Sequence, residues 1–306
     1  MADRAELIRA SERLLDALAA RDPAAAGLAP GVRYTEDGQD LRIGDGLWGT
    51  ADGRGGYLNL IADPETNQTA MIATLRENGS PVILVLRLKL AAEGVSELEG
   101  FVVRPRGGLG PMSRGAEALE AIGGPDPLWA ARIPAGQRAS RADLAAAADK
   151  YFQGLERNDG LGDYSFFADD CERLENGLKT TNNPALRYGE GISERRGPAE
   201  DFVAGLAAMT PRQQFETGYF RFVDRIRERR FPVIDVERGA VFAFGFFDHS
   251  GTVRDILLTD GRVLQSGVRE PFSWEIGEAF RVEHGRLRLI EAVMKRCPYG
   301  MKAGWD

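Results

Sequence analysis

The sequence predicts an α+β protein built from two related domains, each with helices packed on a curved antiparallel sheet. Three observations lead to this prediction. Each half of the chain opens with helical periodicity, a run of alternating apolar strands follows, and short segments of the two halves resemble each other. With 306 residues, the chain is also longer than one compact core usually spans.

The predicted elements follow the same order in both halves. Apolar residues at helical spacing are Leu7, Leu14, Leu15 and Leu18 in the first half, and Leu144, Ala148, Tyr151, Phe152 and Leu155 in the second. Alternating apolar residues predict strands at 57–62, 69–76 and a hairpin at 82–103, then at 231–235, 241–247, 273–282 and 287–294. Helices that precede a run of antiparallel strands are typical of α+β architecture.

Two local matches indicate an internal duplication. Residues 33–38 correspond to 172–177, which places Glu36 and Glu175 in the same local frame. The closing hairpins also correspond, and they pair Glu99 with Glu291. Any two antiparallel hairpins share some turn chemistry, so chance similarity is the alternative explanation.

Composition places the domain boundary in a segment rich in Gly, Pro and Ala. We predict a first domain over 1–104, a linker with one short helix over 105–138, and a second domain with a C-terminal tail over 139–306. The second half also has two longer connections, at 179–213 and 250–271, which we expect to fold over the mouth of a pocket.

Charge and residue counts exclude several classes of function. The 46 acidic and 39 basic residues give a net charge of −7, which does not attract a nucleic acid backbone. Two cysteines and two histidines are too few for a disulfide framework or a histidine-rich metal site, so we expect no metal and no cofactor. The charged amino terminus and the lack of long apolar stretches predict a cytoplasmic protein without a membrane partner.

The second half resembles the nuclear transport factor 2-like superfamily, and in particular its ketosteroid isomerase branch (SnoaL-like proteins). Tyr151 on the predicted helix, the Phe-Ala-Asp-Asp segment at 167–170, and Glu175 stand in the order of that branch. The segment 283–286 is similar to the family's last hairpin. The whole chain resembles a two-copy group of uncharacterised function within this superfamily.

The resemblance implies that each domain is a cone with an apolar pocket open at one end. Members of the superfamily include isomerases, dehydratases, lyases of lignin-derived aromatics, epoxide hydrolases and proteins that only bind partners, so the fold does not decide the chemistry. The chain departs from the isomerase pattern in two respects. Where that enzyme has a second, protonated carboxyl group, alignment places Gly277 in the second half and Leu86 in the first, and Leu14 stands in place of the helix tyrosine.

Three residues are candidates for catalysis. Glu175 on an early strand would take or relay a proton, because a carboxylate among apolar neighbours is a stronger base than in water. Tyr151 would donate a hydrogen bond to developing negative charge on oxygen, and His249, at a strand end, would assist as a general acid or base from the pocket mouth. The structural alternatives are a salt bridge between Glu175 and Arg173, a buried tyrosine with its hydroxyl satisfied, and a solvated histidine.

The candidates for substrate binding come from both halves. They are Arg173, Asn176, Tyr34, Glu36, Trp48, Tyr57, Arg87 and Lys89. Arg87 and Lys89 alternate with leucines and so face away from them. That face is either a pocket, where the cations could anchor an anionic substrate, or a solvated surface or domain interface.

The functional prediction is a cofactor-independent lyase, dehydratase or isomerase that acts on a small apolar molecule by general acid–base catalysis. A lignin-derived aromatic compound is one such substrate. The alternatives are an epoxide hydrolase, in which Arg173 and Asn176 would position water, and a non-catalytic protein that binds a ligand or another protein. We expect the two cones to form an intramolecular pseudo-dimer, and the sequence leaves further homo-oligomers open.

Overall fold

The chain forms two similar domains, each with helices packed against one six-stranded curved sheet. The structure is a computed structural model that describes residues 2–105, 114–187 and 198–305, with the side chains of 198–200 excepted. The predicted linker therefore falls partly on 106–113, and the predicted connection at 179–213 partly on 188–197, both outside the described residues. The mixed α+β class predicted from the sequence is confirmed.

The first sheet belongs to the first half of the chain. Its elements are α1 (Arg4–Ala20), β1 (Leu28–Glu36), β2 (Gln39–Asp40), α2 (Leu47–Thr50), β3 (Ala51–Asp63), β4 (Gln68–Glu77), β5 (Ser80–Ala91) and β6 (Gly94–Val103). The helix α3 (Gly115–Ile122) follows it. Strand order is β2-β1-β6-β5-β4-β3, so the first long strand lies beside the last.

The second sheet repeats this plan with additional elements between its strands. Its elements are α4 (Arg141–Leu155), β7 (Phe167–Glu175), β8 (Leu178–Lys179), α5 (Pro198–Gly205), α6 (Pro211–Glu216), β9 (Arg225–Asp235), β10 (Ala240–His249), β11 (Asp255–Leu257), β12 (Val263–Gln265), β13 (Phe272–Glu283) and β14 (Arg286–Cys297). Strand order is β8-β7-β14-β13-β10-β9. None of the helices in the described ranges is long and apolar enough to cross a membrane.

The sheets are mixed rather than purely antiparallel. Neighbouring strands run antiparallel in both sheets, but β1 runs parallel to β6 and β7 runs parallel to β14. A parallel pair requires a long crossover, and the intervening strands of each sheet provide it. The hydrophobic alternation in these strands predicts their faces but carries no information on their direction.

Local capping fixes where the two long helices begin. Asp3 and Glu6 form a capping box at the start of α1, and Ser140 accepts a hydrogen bond from the backbone of Asp143 at the start of α4. Apolar side chains at helical spacing then bury one face of each helix on its sheet, including Leu14 in α1. The helical periodicity seen in the sequence is thus the face that each domain buries.

The strand register shows the duplication residue by residue. Glu36 pairs with Gly100 on β6, and Glu175 pairs with Ala292 on β14. The residues that precede these partners in the chain are Glu99 and Glu291. Glu36 is thus equivalent to Glu175 in the register, and Glu99 to Glu291, as the sequence predicted. The two halves are therefore a tandem duplication of one domain.

The two sheets pack against each other through the faces that their helices do not cover. This shared apolar layer contains Tyr57, Ile61, Ile72, Ile83, Val85, Phe101, Val233, Phe242, Phe244, Ala279, Leu289 and Val293. Contacts at the margin extend it, since Trp305 Nε1 donates to Thr35 Oγ1 of the first domain over 2.8 Å. Burial on both faces explains why β10 is apolar along almost its whole length.

Gly277 provides a test of this packing. A Cβ atom built on Gly277 would lie 2.4 Å from Cγ1 of Val85 in the other sheet. Because both strands are buried, we expect Gly277→Ala to lower the free energy of unfolding by about 1–3 kcal/mol, measured by urea denaturation.

Gly245 on the neighbouring strand is the matched control. A Cβ atom added to Gly245 would have its nearest neighbour at 3.4 Å, an ordinary contact, so Gly245→Ala should not destabilise the chain. Adding Val85→Ala to Gly277→Ala should restore part of the lost stability. Equal stability of Gly277→Ala and the wild type would contradict this packing.

Candidate active site

A cavity of about 340 Å³ lies inside the second domain, between α4, the sheet and the long connections. Most of its wall is apolar or aromatic. The lining residues are Tyr151, Leu155, Arg173, Glu175, Val203, Leu206, Tyr219, Phe220, Phe222, Val223, Phe247, His249, Trp274, Glu278, Ala292 and Met294. An apolar cavity with a few convergent polar groups is the usual form of a small-molecule site.

Two carboxyl groups stand in one row on the cavity floor. Glu278 on β13 pairs with Ala292 on β14, which pairs with Glu175 on β7. Two strand spacings separate the backbones of the two glutamates by roughly 10 Å. The small side chain of Ala292 leaves the space between them open, so both glutamates reach the same cavity.

Glu278 lies buried in the wall of the cavity. Its side chain is fully buried, and neither carboxyl oxygen has a hydrogen-bond partner among the described residues. Burial raises the pKa of Glu278 well above its ordinary value, and the nearby charge of Glu175 raises it further. Glu278 is therefore held as the neutral acid, which can donate a hydrogen bond or a proton.

Arg173 and Tyr151 supply the donors beside these carboxyl groups. Arg173 is buried on β7, where its Nε lies 3.5 Å from Oε1 of Glu175 and donates to Thr180 Oγ1 over 3.2 Å. The guanidinium group of Arg173 donates a further hydrogen bond to Gln214 on α6. Tyr151 projects from α4, and its complete burial raises the pKa of its hydroxyl. The phenol therefore stays protonated and can donate.

His249 closes one side of the cavity at the end of β10. Its ring stacks on Phe272 at 4.5 Å between centroids and lies 5.9 Å from the ring of Phe222. The distance from Nδ1 to the carbonyl oxygen of Phe247 is 3.0 Å, and since a carbonyl accepts, Nδ1 carries the proton. Burial lowers the pKa of His249 to about 4, so the imidazole is neutral at pH 7.

The outer wall comes from the segment between β8 and β9, which is much longer than its counterpart between β2 and β3 in the first domain. The 3₁₀ turn Tyr219–Phe222 and the short helix α5 contribute aromatic and aliphatic side chains to it. The hairpin β11–β12 packs behind them, where Ile256 and Leu264 contact Phe202 and Leu206. Of the predicted connection at 179–213, Val203 and Leu206 line the cavity, whereas the connection at 250–271 packs behind that wall and contributes no lining residue.

The corresponding space in the first domain is filled. Only about 10 Å³ remains among its apolar residues, Tyr34, Glu36 and Trp48. Trp48 on α2 is buried there, and the register places Leu86 at the position of Glu278. Tyr34 donates to Glu36, which also accepts from the backbone of Leu47 over 2.8 Å, so both side chains are satisfied within the core. The first domain therefore has no comparable cavity in its described residues.

The other predicted binding residues lie elsewhere. Asn176 has φ +44° in the turn after β7, where its side chain exchanges two hydrogen bonds with the backbone of Met294. Arg87 is buried beside Glu99, and Lys89 is half exposed and pairs with Glu97. The structure thus places Asn176, Arg87 and Lys89 outside the cavity.

Tyr57 also lies outside this cavity. It points from β3 into the layer between the sheets, where its hydroxyl donates to Glu291 over 2.9 Å. Of the eleven residues predicted from the sequence, the cavity brings together Tyr151, Arg173, Glu175 and His249.

Glu278 is the residue that sequence reasoning missed. The hairpin alignment pointed to Gly277, which lies on the face of β13 that packs against Val85 of the other sheet. A one-residue shift on a strand exchanges the two faces. The signal was present, because Glu278 is the polar member of the alternating series that runs from Trp274 through Ile276 to Phe280.

Comparisons with known proteins find a matching family and several similar solved structures. A family model described as "Domain of unknown function (DUF8021)" matches residues 137–294. The chain is similar to a crystal structure of a de novo designed protein with a curved β-sheet, at 10% identity and a TM-score of 0.27, over 51% of this chain and 88% of that one. It is also similar to AclR of Streptomyces galilaeus, a proposed hydroxylase, at 17% identity and a TM-score of 0.28, over 52% and 83%. Among curated proteins nothing matches.

The burial of Glu278 predicts a pH-dependent stability. Since the pKa of Glu278 is raised, the folded chain keeps a proton that the unfolded chain loses above about pH 4.5. The wild type should lose stability as the pH rises from about 5 to 8, whereas Glu278→Gln should lose less, by up to about 1.4 kcal/mol for each pH unit. Urea denaturation at several pH values measures this difference, and parallel curves would contradict a protonated Glu278.

The burial of His249 predicts the opposite dependence. Because the pKa of His249 is about 4 in the folded chain against 6.5 for an ordinary histidine, the unfolded chain binds a proton that the folded chain does not. Lowering the pH from 6.5 to 4 should cost the wild type up to about 3 kcal/mol from this group. His249→Phe keeps the ring stack and should lack this contribution; an identical slope in both proteins would overturn it.

Proposed function

We propose that this chain, which belongs to the family described as a domain of unknown function (DUF8021), is a cofactor-independent lyase, dehydratase or isomerase of small apolar molecules. One observation carries the proposal. Two carboxyl groups in different environments face one apolar cavity, with Glu175 beside a guanidinium group and Glu278 buried without a partner among the described residues. Such a pair divides the work between a base and an acid.

Glu175 is the base in this proposal. The guanidinium of Arg173, 3.5 Å from Oε1, offers its carboxylate a counter-charge, and the apolar wall limits its hydration. Glu175 removes a proton from the substrate carbon next to a carbonyl group, and the electron pair of the broken C–H bond moves to the carbonyl oxygen, which gives an enolate. The same first step serves isomerisation and elimination.

Tyr151 and Glu278 are the acids. A hydrogen bond from the Tyr151 hydroxyl stabilises the enolate oxygen, because the donor is fixed and water is limited in the cavity. In a dehydration, Glu278 gives its proton to the leaving hydroxyl group, which departs as water, while Glu175 keeps the proton taken from carbon. His249 assists from the mouth through its unprotonated Nε2, which accepts a hydrogen bond from the substrate.

The walls support a small, largely apolar substrate with an aromatic ring. Trp274, Phe220 and Phe222 line the space, and its volume of about 340 Å³ suits a molecule of one or two rings. Lignin-derived aromatic compounds have these properties. We also assign the chain to the nuclear transport factor 2-like superfamily, which the order of Tyr151 and Glu175 on the first helix and first long strand supports.

Two other functions have less support. Epoxide hydrolysis would require Arg173 and Asn176 around an attacking water, and the side chain of Asn176 bonds to backbone outside the cavity. A purely ligand-binding protein has no use for Glu278, a buried acid without a hydrogen-bond partner among the described residues, because such a group lowers stability.

The test of catalysis is the exchange of carbon-bound hydrogen with D₂O. Small aryl ketones and β-hydroxy aryl ketones, followed by proton NMR, report the first step of all three reactions. Glu175→Gln should slow exchange by about 10²–10⁴-fold without loss of fold. Glu36→Gln, the equivalent change in the filled first domain, should leave exchange unchanged.

Each alternative has a separate outcome. Wild-type exchange rates in Glu175→Gln would overturn the assignment of the base. Conversion of styrene oxide to a diol that carries ¹⁸O from labelled water, without any C–H exchange, would favour epoxide hydrolysis instead. Binding of the ketones without any exchange would favour a non-catalytic protein.

A further inference from the structure

A second cavity, of about 580 Å³, lies where the two domains meet. Strands β3, β7 and β14 and the segment after α3 form it. Its apolar lining includes Trp129, Leu174 and Leu289, and its ionisable lining groups are Tyr57, Asp126, Glu172, Lys179 and Glu291. Lys179 is already paired with Glu172, at 2.6 Å. The lining therefore favours a cation.

Glu291 occupies the floor of this cavity. Its carboxyl group accepts from Tyr57 Oη over 2.9 Å and from Asn59 Nδ2 over 2.6 Å, both across the domain boundary. Both donors are neutral, and among the described residues no lysine or arginine pairs with Glu291. Burial raises the pKa of Glu291 to about 7. A buried carboxylate without a counter-charge is strongly destabilising.

The equivalent carboxylate in the first domain is compensated. Glu99 corresponds to Glu291 in the duplication, and it contacts two guanidinium groups. Arg87 Nε donates to it over 2.8 Å, and Arg230 from β9 binds it with both terminal nitrogens. The two equivalent positions thus differ by the presence of cations.

The space over Glu99 also contains an aromatic ring. Trp305 donates to Thr35, the residue that pairs with Glu99 in the register. The guanidinium carbons of Arg33 and Arg87 lie 3.8 Å and 4.6 Å from the centre of the Trp305 ring. In the first domain, an indole ring with neighbouring cations therefore fills the space over Glu99. The equivalent space over Glu291 in the second domain is a cavity.

By the same register, Leu174 corresponds to Thr35 and Glu172 to Arg33. The part of the sheet that Trp305 covers in the first domain is thus replaced in the second domain by an apolar and an acidic residue. We propose that the cavity between the domains binds an aryl-alkyl ammonium ion, with its ammonium group on Glu291 and its ring against Leu174 and Trp129. The ligand supplies the cation and the ring that the chain itself supplies at Glu99.

Three probes with one ring test this proposal on the full chain. Tryptamine carries an ammonium group, tryptophol a neutral hydroxyl and indole-3-acetate a carboxylate, and isothermal titration calorimetry at pH 8 measures each dissociation constant. Tryptamine should bind at least about tenfold tighter than tryptophol, because only the ammonium pairs with Glu291, and indole-3-acetate should bind weakest. Equal binding of tryptamine and tryptophol would overturn the proposal without any variant.

Variants locate the site. Glu291→Gln should remove the preference for tryptamine over tryptophol, and Leu174→Trp should weaken both by filling the cavity while leaving Glu291 intact. Glu175→Gln, in the other cavity, should bind tryptamine as the wild type does. Tryptamine binding that survives in Leu174→Trp but is lost in Glu175→Gln would place the ligand in the other cavity and overturn the assignment.

Discussion

The apolar layer between the two sheets is the constraint on which the rest of the molecule depends. Each sheet has one face covered by its own helices and one face that would otherwise be exposed to water. Packing these second faces together buries Val85, Phe101, Phe242 and Val293. Because the layer leaves no room for a side chain at Gly277, it also fixes which face of β13 is available for a cavity.

Within this frame, the two copies of one domain have become different. The first fills its interior with Trp48 and keeps a leucine, Leu86, where the second has Glu278. A filled core contributes stability through burial and close packing. The second domain gives up part of that contribution, since it encloses a cavity and a carboxyl group without a partner among the described residues. Loss of packing at one site is tolerated where the neighbouring domain and the shared layer supply enough stability.

The sequence predicted those features that depend on local pattern. Helical periodicity located α1 and α4, strand alternation located the hairpins, and the order of Tyr151 and Glu175 located one wall of the cavity. It could not give the direction of β1 and β7 or the contact of Tyr57 with the other sheet, because both arise from long-range packing.

Two errors had a local cause. A hairpin alignment that is wrong by one residue exchanges the two faces of a strand, and for this reason the alignment pointed to Gly277 instead of Glu278. Asn176 was predicted to position water for substrate, yet Asn-Gly is a strong turn signal and its positive φ places it in that turn. A polar residue in an apolar alternating series was the more informative observation.

In the proposed enzyme, the segments over the cavity would separate the acid–base chemistry of this domain from its selectivity. The ionisable groups are held by sheet and helix, whereas the outer wall comes from segments that pack largely on one another through Phe202, Leu206 and Ile256. Changes in those segments can reshape the entrance without moving an acid or a base. Under the proposed function, such a division would let new substrate preferences evolve by small steps, since the reaction stays on a rigid frame while a variable wall selects the molecules that reach it.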